Sequence, residues 1–234
     1  MTETGNKKGR EPQEAAPGPA ILFSGEGFVV CMKPAGLLSG SAAGDERSMV
    51  GMLEEKLGCP VFPVHRLDRE TSGLMVFATD RAEAARLSAL IAGRSGFSKE
   101  YLCAVEGLPD PPAGEMRDLL FFDRRQNRSF VVASERKGVK EAALSYEVLR
   151  SAAGPASGRQ MSLVKVRLHT GRTHQIRVQF ASRGMPLAGD RRYGSKLSCP
   201  TALLSCSLSF PDREGNMLSF TAEMPEGSPW DLFG

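Results

Sequence analysis

The 234-residue sequence has little of what metal and redox chemistry need: three histidines, five cysteines and one tryptophan. Cys31, Cys59, Cys103, Cys199 and Cys206 are odd in number and scattered, with no C-x-x-C pair. Most lie among apolar residues, so they read as reduced core thiols of a cytoplasmic protein. His169 and His174 stand five apart with no third ligand, a poor zinc pattern, and no metal is expected. There is no G-x-S-x-G, P-loop or G-x-G-x-x-G, which leaves α/β-hydrolase, NTPase and dinucleotide-binding readings without support. No apolar run approaches the roughly 18 residues of a membrane span, and the polar start MTETGNKKGREPQEAAPGPA is no secretory signal. A soluble chain without a membrane partner is expected.

What is present is ordinary globular material, 41% hydrophobic and 24% charged, enough for one large domain. The net charge of +3 is compatible with a nucleic-acid partner without demanding one. Residues 1–20 hold almost nothing to bury and read as a disordered tail, leaving 21–234 as the folded domain. Period-two alternation predicts strands at 21–24, 28–32, 74–79 and 98–107, hairpins in 118–134 and 142–170, and two strands around a turn at 211–215. Helices are predicted at 48–58, ending at Gly58, and from Asp80, where Glu83 completes a capping pattern and Ala84, Leu87, Leu90 and Ile91 form the buried stripe. A third is predicted from Thr173 as N-cap to Gly184 as stop. Many strands with a few interleaved helices give an α+β fold: one domain around a central mixed, mostly antiparallel sheet flanked by helices.

Three stretches could carry chemistry. In HRLDRETSGLMVFATD (65–80) a lone acid, Asp68, stands between Arg66 and Arg69 at the mouth of an apolar strand. A surface pair or turn cap explains an exposed Asp68; an acid close to the core instead needs a partner to stay ionised, and Glu70, the other nearby carboxylate, is expected to alternate away. In 165–196 the cations Lys165, Arg167, Arg172, Arg177, Arg183, Arg191, Arg192 and Lys196 face a single acid, Asp190, and are interleaved with glycines. That pattern suits either a solvated face or close contact with a phosphate backbone. In SKEYLCAVEG, Lys99 and Tyr101 share one strand face, where the tyrosine could simply fill core volume.

Together the blocks HRLDRETSGLMVFA, SKEYLCAVEG and LHTGRTHQIRVQFASRGMPLAGDRRYG, preceded by ILFSGEGFVVCMKPAGLL, resemble the RluA-type RNA pseudouridine synthases over most of residues 21–194. The chain departs from the usual pattern at Met185 and at Ser205-Cys206. Many relatives carry a small N-terminal RNA-binding domain for which residues 1–20 offer no room, so a compact substrate is expected. The resemblance implies a pseudouridine-synthase-like domain that isomerises uridine in tRNA or rRNA, in the cytoplasm, as a monomer and without a cofactor. It implies Asp68 as the catalytic acid, either attacking the anomeric carbon or removing the 2′ proton. Arg177 would pair with Asp68, and Tyr101 would stack on the uracil and help take the proton from ring carbon 5. Arg66 would fill the space left by the flipped base or hold the flanking backbone, with Lys33, Lys99, Arg172 and His174 as candidate phosphate contacts. The rival readings are a catalytically silent RNA-binding module of the same fold and a nucleoside hydrolase.

Overall fold

The computed structural model describes residues 18–40, 48–93, 96–154 and 159–234. The expected tail therefore lies outside the described residues up to position 17. The described chain runs β1 (Ala20–Gly25), β2 (Phe28–Lys33), α1 (Met49–Leu57), β3 (Phe62–Pro63), β4 (Ser72–Ala78), α2 (Arg81–Gly93), β5 (Ser98–Glu106) and β6 (Ala113–Asp123). It continues with β7 (Arg128–Val132), β8 (Val139–Ala153), β9 (Gln160–Leu168), α3 (Gln175–Ala181), β10 (Leu203–Pro211) and β11 (Met217–Thr221). A 3-10 turn covers Arg191–Tyr193 and another closes the chain at Trp230–Phe233.

All strands join one sheet in the order β1-β2-β4-β10-β5-β9-β8-β6-β7, with β11 on β10 and β3 on β4. Among the described strands only β10 and β4 pair in parallel, at Leu204–Ser72 and Ser205–Gly73. The sheet is mixed and mostly antiparallel, as the alternation implies. Period two sorts the side chains between two cores. Val29, Cys31, Met75, Phe77, Tyr101, Cys103 and Val166 pack on one face with Met49 and Leu53 of α1 and with Ile176 and Phe180 of α3. On the other face, Phe28, Val30, Leu74 and Val76 meet Leu87 of α2, while Leu163 and Leu204 meet Trp230 and Phe233.

The helix ends follow their sequence signals in two cases of three. Ser48 accepts from Gly51 N–H (3.2 Å), and Gly58 closes α1 in the left-handed region. Asp80 accepts from Glu83 N–H at 2.7 Å, but Leu90 and Ile91 are half-buried, and Glu83 instead is buried between Arg86 and Arg213. At α3 the expectation fails. Its N-cap is His174 at φ 55°, and Thr173 lies outside the helix. The His174 side chain makes no capping bond; Gln175 instead folds back onto the preceding loop, where its Oε1 accepts from Arg172 N–H (3.0 Å) and Thr170 Oγ1 (2.7 Å). β6 also begins five residues before the predicted strand, because Ala113–Arg117 pair with β8.

Candidate active site

Asp68 sits on the loop between β3 and β4, whose backbone is fastened from beneath. Leu67 is buried; its N–H donates to Ser39 Oγ (2.9 Å) and its carbonyl accepts from that hydroxyl (2.8 Å). Gly36 N–H donates to Arg69 carbonyl (2.7 Å), while Arg69 Nε donates back to Gly36 carbonyl (2.9 Å). Thr71 N–H closes the turn onto Asp68 carbonyl at 3.1 Å. Lys33 completes the fastening: its ammonium is fully buried and donates to the carbonyls of Pro34 (2.9 Å), Leu37 (2.7 Å) and Arg69 (3.2 Å). This corrects its expected part as a phosphate contact, since no face of that ammonium is open to an anion.

Above the loop lies a cavity of about 320 Å³, within the ordinary range for small-ligand sites. Asp68 and Arg66 from the loop, Lys99 and Tyr101 from β5, and Arg172, His174 and Arg177 from the β9–α3 segment all line it. Seven of the eight expected site residues thus meet in one place, across 109 positions of chain between Asp68 and Arg177. A second cavity of about 420 Å³ shares Lys99 and Arg172 with the first and adds Arg167 and His169.

Arg177 is the hub. It is the largest fully buried side chain, and it binds Asp190 bidentately through Nε (2.6 Å) and Nη2 (2.9 Å). Its Nη1 reaches Glu70 at 3.0 Å and Asp68 Oδ2 at 3.4 Å. The pairing with Asp68 is present but is the longest of the set. Two partners were missed. Asp190 had a signal, being the single acid in a cationic stretch and lying directly after Gly189. Glu70 does not turn away as alternation implied, because residues 69–71 form a turn and not a strand. Burial alone would raise the Glu70 carboxyl, but Arg177 and its own backbone N–H hold it below its ordinary range. Burial likewise opposes the charge on Arg177; the bond to Asp190, then Asp68 and Glu70, more than offset it and keep the guanidinium protonated.

His174 also departs from its expected phosphate role. Its ring is buried, with Nδ1 3.0 Å from Tyr193 Oη and Nε2 3.9 Å from Asp68 Oδ2. Burial, only partly offset by Asp68, lowers its pKa from 6.5. Tyr101 is buried as well, and desolvation with the added repulsion of Asp68 pushes its hydroxyl well above the usual phenol range. Its ring forms an aromatic wall of the cavity. Lys99 makes no ion pair among the described residues, and burial lowers it to about 8. Arg66 is exposed, and Arg172 keeps one nitrogen on Glu141 carbonyl (2.8 Å). Of the other cations, Lys165 pairs with Glu100 and Arg183 with Asp118, so the basic run is partly neutralised by the protein itself.

Residues 27–182 match the family profile described as RNA pseudouridylate synthase. The chain belongs to the RluA-type RNA pseudouridine synthases. It is 31% identical to ribosomal large subunit pseudouridine synthase D of Zymomonas mobilis over 229 residues, covering 88% of this chain and 69% of that protein. It is also 31% identical to tRNA pseudouridine synthase C of Vibrio vulnificus over 182 residues, 74% of this chain and 73% of that one. The solved structure of human RNA pseudouridylate synthase domain containing 1 superposes with a TM-score of 0.75 at 22% identity, covering 92% and 86% of the two chains, and shares the fold. As a pseudouridine synthase the protein is an isomerase that converts uridine in RNA to pseudouridine. No helix among the described residues is long and apolar enough to cross a membrane.

Proposed function

We propose that Asp68 is the catalytic carboxylate of this uridine isomerase. The observation that carries the reading is its place: a carboxylate on a fastened loop, at the wall of a nucleotide-sized cavity, 3.4 Å from a buried guanidinium. The isomerisation breaks the bond from C1′ to ring nitrogen 1, turns the uracil and rejoins it through ring carbon 5. No water has to be activated, so one carboxylate is enough, and a closed cavity keeps water from the detached sugar. Two routes use the same group: attack on C1′, or removal of the 2′ proton. A primary 2′-deuterium isotope effect belongs only to the second.

In this reading Tyr101 provides the stacking wall for the uracil. A stacked base is out of reach, so the nucleotide flips, at a cost of a few kcal/mol, and the exposed Arg66 at the cavity mouth occupies the vacated position. Lys99 and Arg172, which line both cavities, hold phosphates of the flipped and neighbouring nucleotides. The relatives' names support tRNA or rRNA as substrate. In this reading the protein acts in the cytoplasm as a monomer.

Replacing Asp68 by Asn removes the reactive charge and keeps the shape. Pseudouridine formation should then vanish while RNA affinity stays within severalfold. Turnover near the wild-type rate in that variant would remove Asp68 from its role, and free uracil among the products would favour hydrolysis instead. Mapping pseudouridine in total RNA with and without the gene identifies the target.

A further inference from the structure

The hydrogen bonds behind Asp68 carry an assignment that goes beyond which residue reacts. Asp68 meets two donor-bearing groups, and both approach the same oxygen. Arg177 Nη1 lies 3.4 Å from Oδ2, and His174 Nε2 lies 3.9 Å from it, an electrostatic contact longer than a hydrogen bond, whereas Oδ1 has no partner among the described residues. Whether His174 presents a proton or a lone pair there depends on its tautomer, which is set by what its other nitrogen meets.

That partner is the hydroxyl of Tyr193. The hydroxyl accepts from Ser129 N–H at 2.8 Å and has one proton to give, either to His174 Nδ1 at 3.0 Å or to Ser129 carbonyl at 3.3 Å. Giving it to Nδ1 uses the shorter contact and leaves Nε2–H facing the carboxylate. Giving it to Ser129 carbonyl makes Nδ1 the donor and sets the Nε2 lone pair against a carboxylate oxygen in a partly dehydrated site, which is repulsive. Both ends of the ring favour the first arrangement. Burial raises the Tyr193 hydroxyl above its usual range, so its proton is retained.

We propose that Tyr193 and Ser129 fix His174 as the neutral Nε2–H tautomer, which with Arg177 anchors Asp68 Oδ2 and leaves Oδ1 as the oxygen that acts on the ribose. His174 and Tyr193 are then positioning residues. The backbone supports this use of the ring. His174 is held at φ 55°, a left-handed conformation that a non-glycine residue adopts at some cost. Ser129 Oγ fastens that conformation by donating to Thr173 carbonyl at 2.6 Å. Ser129 therefore anchors the loop before the imidazole as well as the hydroxyl behind it. The charged groups around the ring are Asp68 and Glu70 from one loop, Arg177 from α3 and Arg192 from the 3-10 turn.

The inference rests on Asp68 as the reactive group, but its first test does not. With ¹⁵N-histidine labelling at neutral pH, the wild-type protein should show His174 protonated on Nε2 and bare on Nδ1; His174→Gln identifies the signals among three histidines. Tyr193→Phe keeps the ring that lies under Arg177 and removes only the hydroxyl. It should mix the tautomers and lower kcat by about tenfold, the scale of one hydrogen bond, with KM for RNA within about twofold when assayed well below the melting temperature, which itself falls because the buried Ser129 N–H loses its acceptor. His174→Gln, which can present an amide N–H near the same point, should keep more activity than His174→Ala. A wild-type ring protonated on Nδ1 overturns the proposal, as does a Tyr193→Phe protein with full kcat. An Nε2–H ring beside a fully active Asp68→Asn enzyme would instead leave the tautomer standing and remove the catalytic role of Asp68.

Discussion

At the scale of single residues, the site is a problem of keeping one guanidinium satisfied. Arg177 is buried, and three carboxylates share its donors. The partners are unequal. Asp190 is as buried as the arginine and makes two bonds, whereas Glu70 makes one and is only half-buried. Breaking a buried pair by neutralising one partner costs about 3–5 kcal/mol, while a solvent-screened pair contributes about 1 kcal/mol or less. Asp190→Asn should therefore lower unfolding free energy in urea by about 3 kcal/mol and reduce activity, because Arg177 turns away from Asp68. Glu70→Gln should change stability by no more than about 1 kcal/mol. Equal losses from the two substitutions would contradict this ranking. Lys99 gives a pH test. Burial lowers its ammonium to about 8, so in the free enzyme the charged form that attracts phosphate is full below that pH and lost above it. RNA affinity should be level from pH 6 to about 7.5 and weaken above 8, and Lys99→Arg should remove that limb.

At the scale of elements, the strands were legible and the connections between them were not. The apolar runs in Phe28–Lys33, Ser98–Glu106 and Gln160–Leu168 are dictated by burial on both sheet faces, so they are written in the residues themselves. The start of α3 is not written that way. Thr173 has the right side chain for an N-cap, but the helix starts one residue later at the left-handed His174, and Thr170 and Gln175 hold the preceding loop to Ala143, 27–32 residues away. Lys33 misled for a similar reason: a lysine before a Pro-Ala-Gly turn looks exposed, and only the turn 34–37 curling over it with the Asp68 loop shows that it is enclosed. Its role belongs to the ends of β2 and β4 together. Lys33→Met removes the donor from three carbonyls and should lower stability by about 2–3 kcal/mol at pH 7. Activity should drop further than RNA affinity as the Asp68 loop loosens. The pH dependence has a definite sign. Burial brings Lys33 from 10.5 to about 8, so between those values the unfolded chain binds more protons than the folded one. Stability of the wild type relative to Lys33→Met must then rise with pH across that window. A gap that narrows in urea titrations from pH 8 to 10 would show that the ammonium is not enclosed as described.

At the scale of the whole molecule, the sequence blocks announced the family, but no local rule brings Asp68 to Arg177 across 109 positions or separates used cations from neutralised ones. Both follow from topology. The parallel contact of β4 with β10 places the Asp68 loop beside β5, and the β9–α3 turn closes over the same face. The result is two adjoining cavities in which Asp68 is the only acid among the lining residues, with Arg66, Lys99, Arg167 and Arg172 around it. The net charge of +3 hides this separation, since Lys165 and Arg183 are paired with acids outside the cavities. RNA binding should therefore be strongly salt-dependent despite the modest total. Each phosphate contact on a single strand adds about 0.7 to the slope of log affinity against log salt. Alanine at Arg167 or Lys99 should lower that slope by about one contact each. Alanine at Lys165, a residue of the same basic run whose charge Glu100 already occupies at 2.8 Å, should leave it unchanged. If the Lys165 variant changed the slope as much as the Arg167 variant, the RNA path would lie along the whole basic run and not through the two cavities beside Asp68.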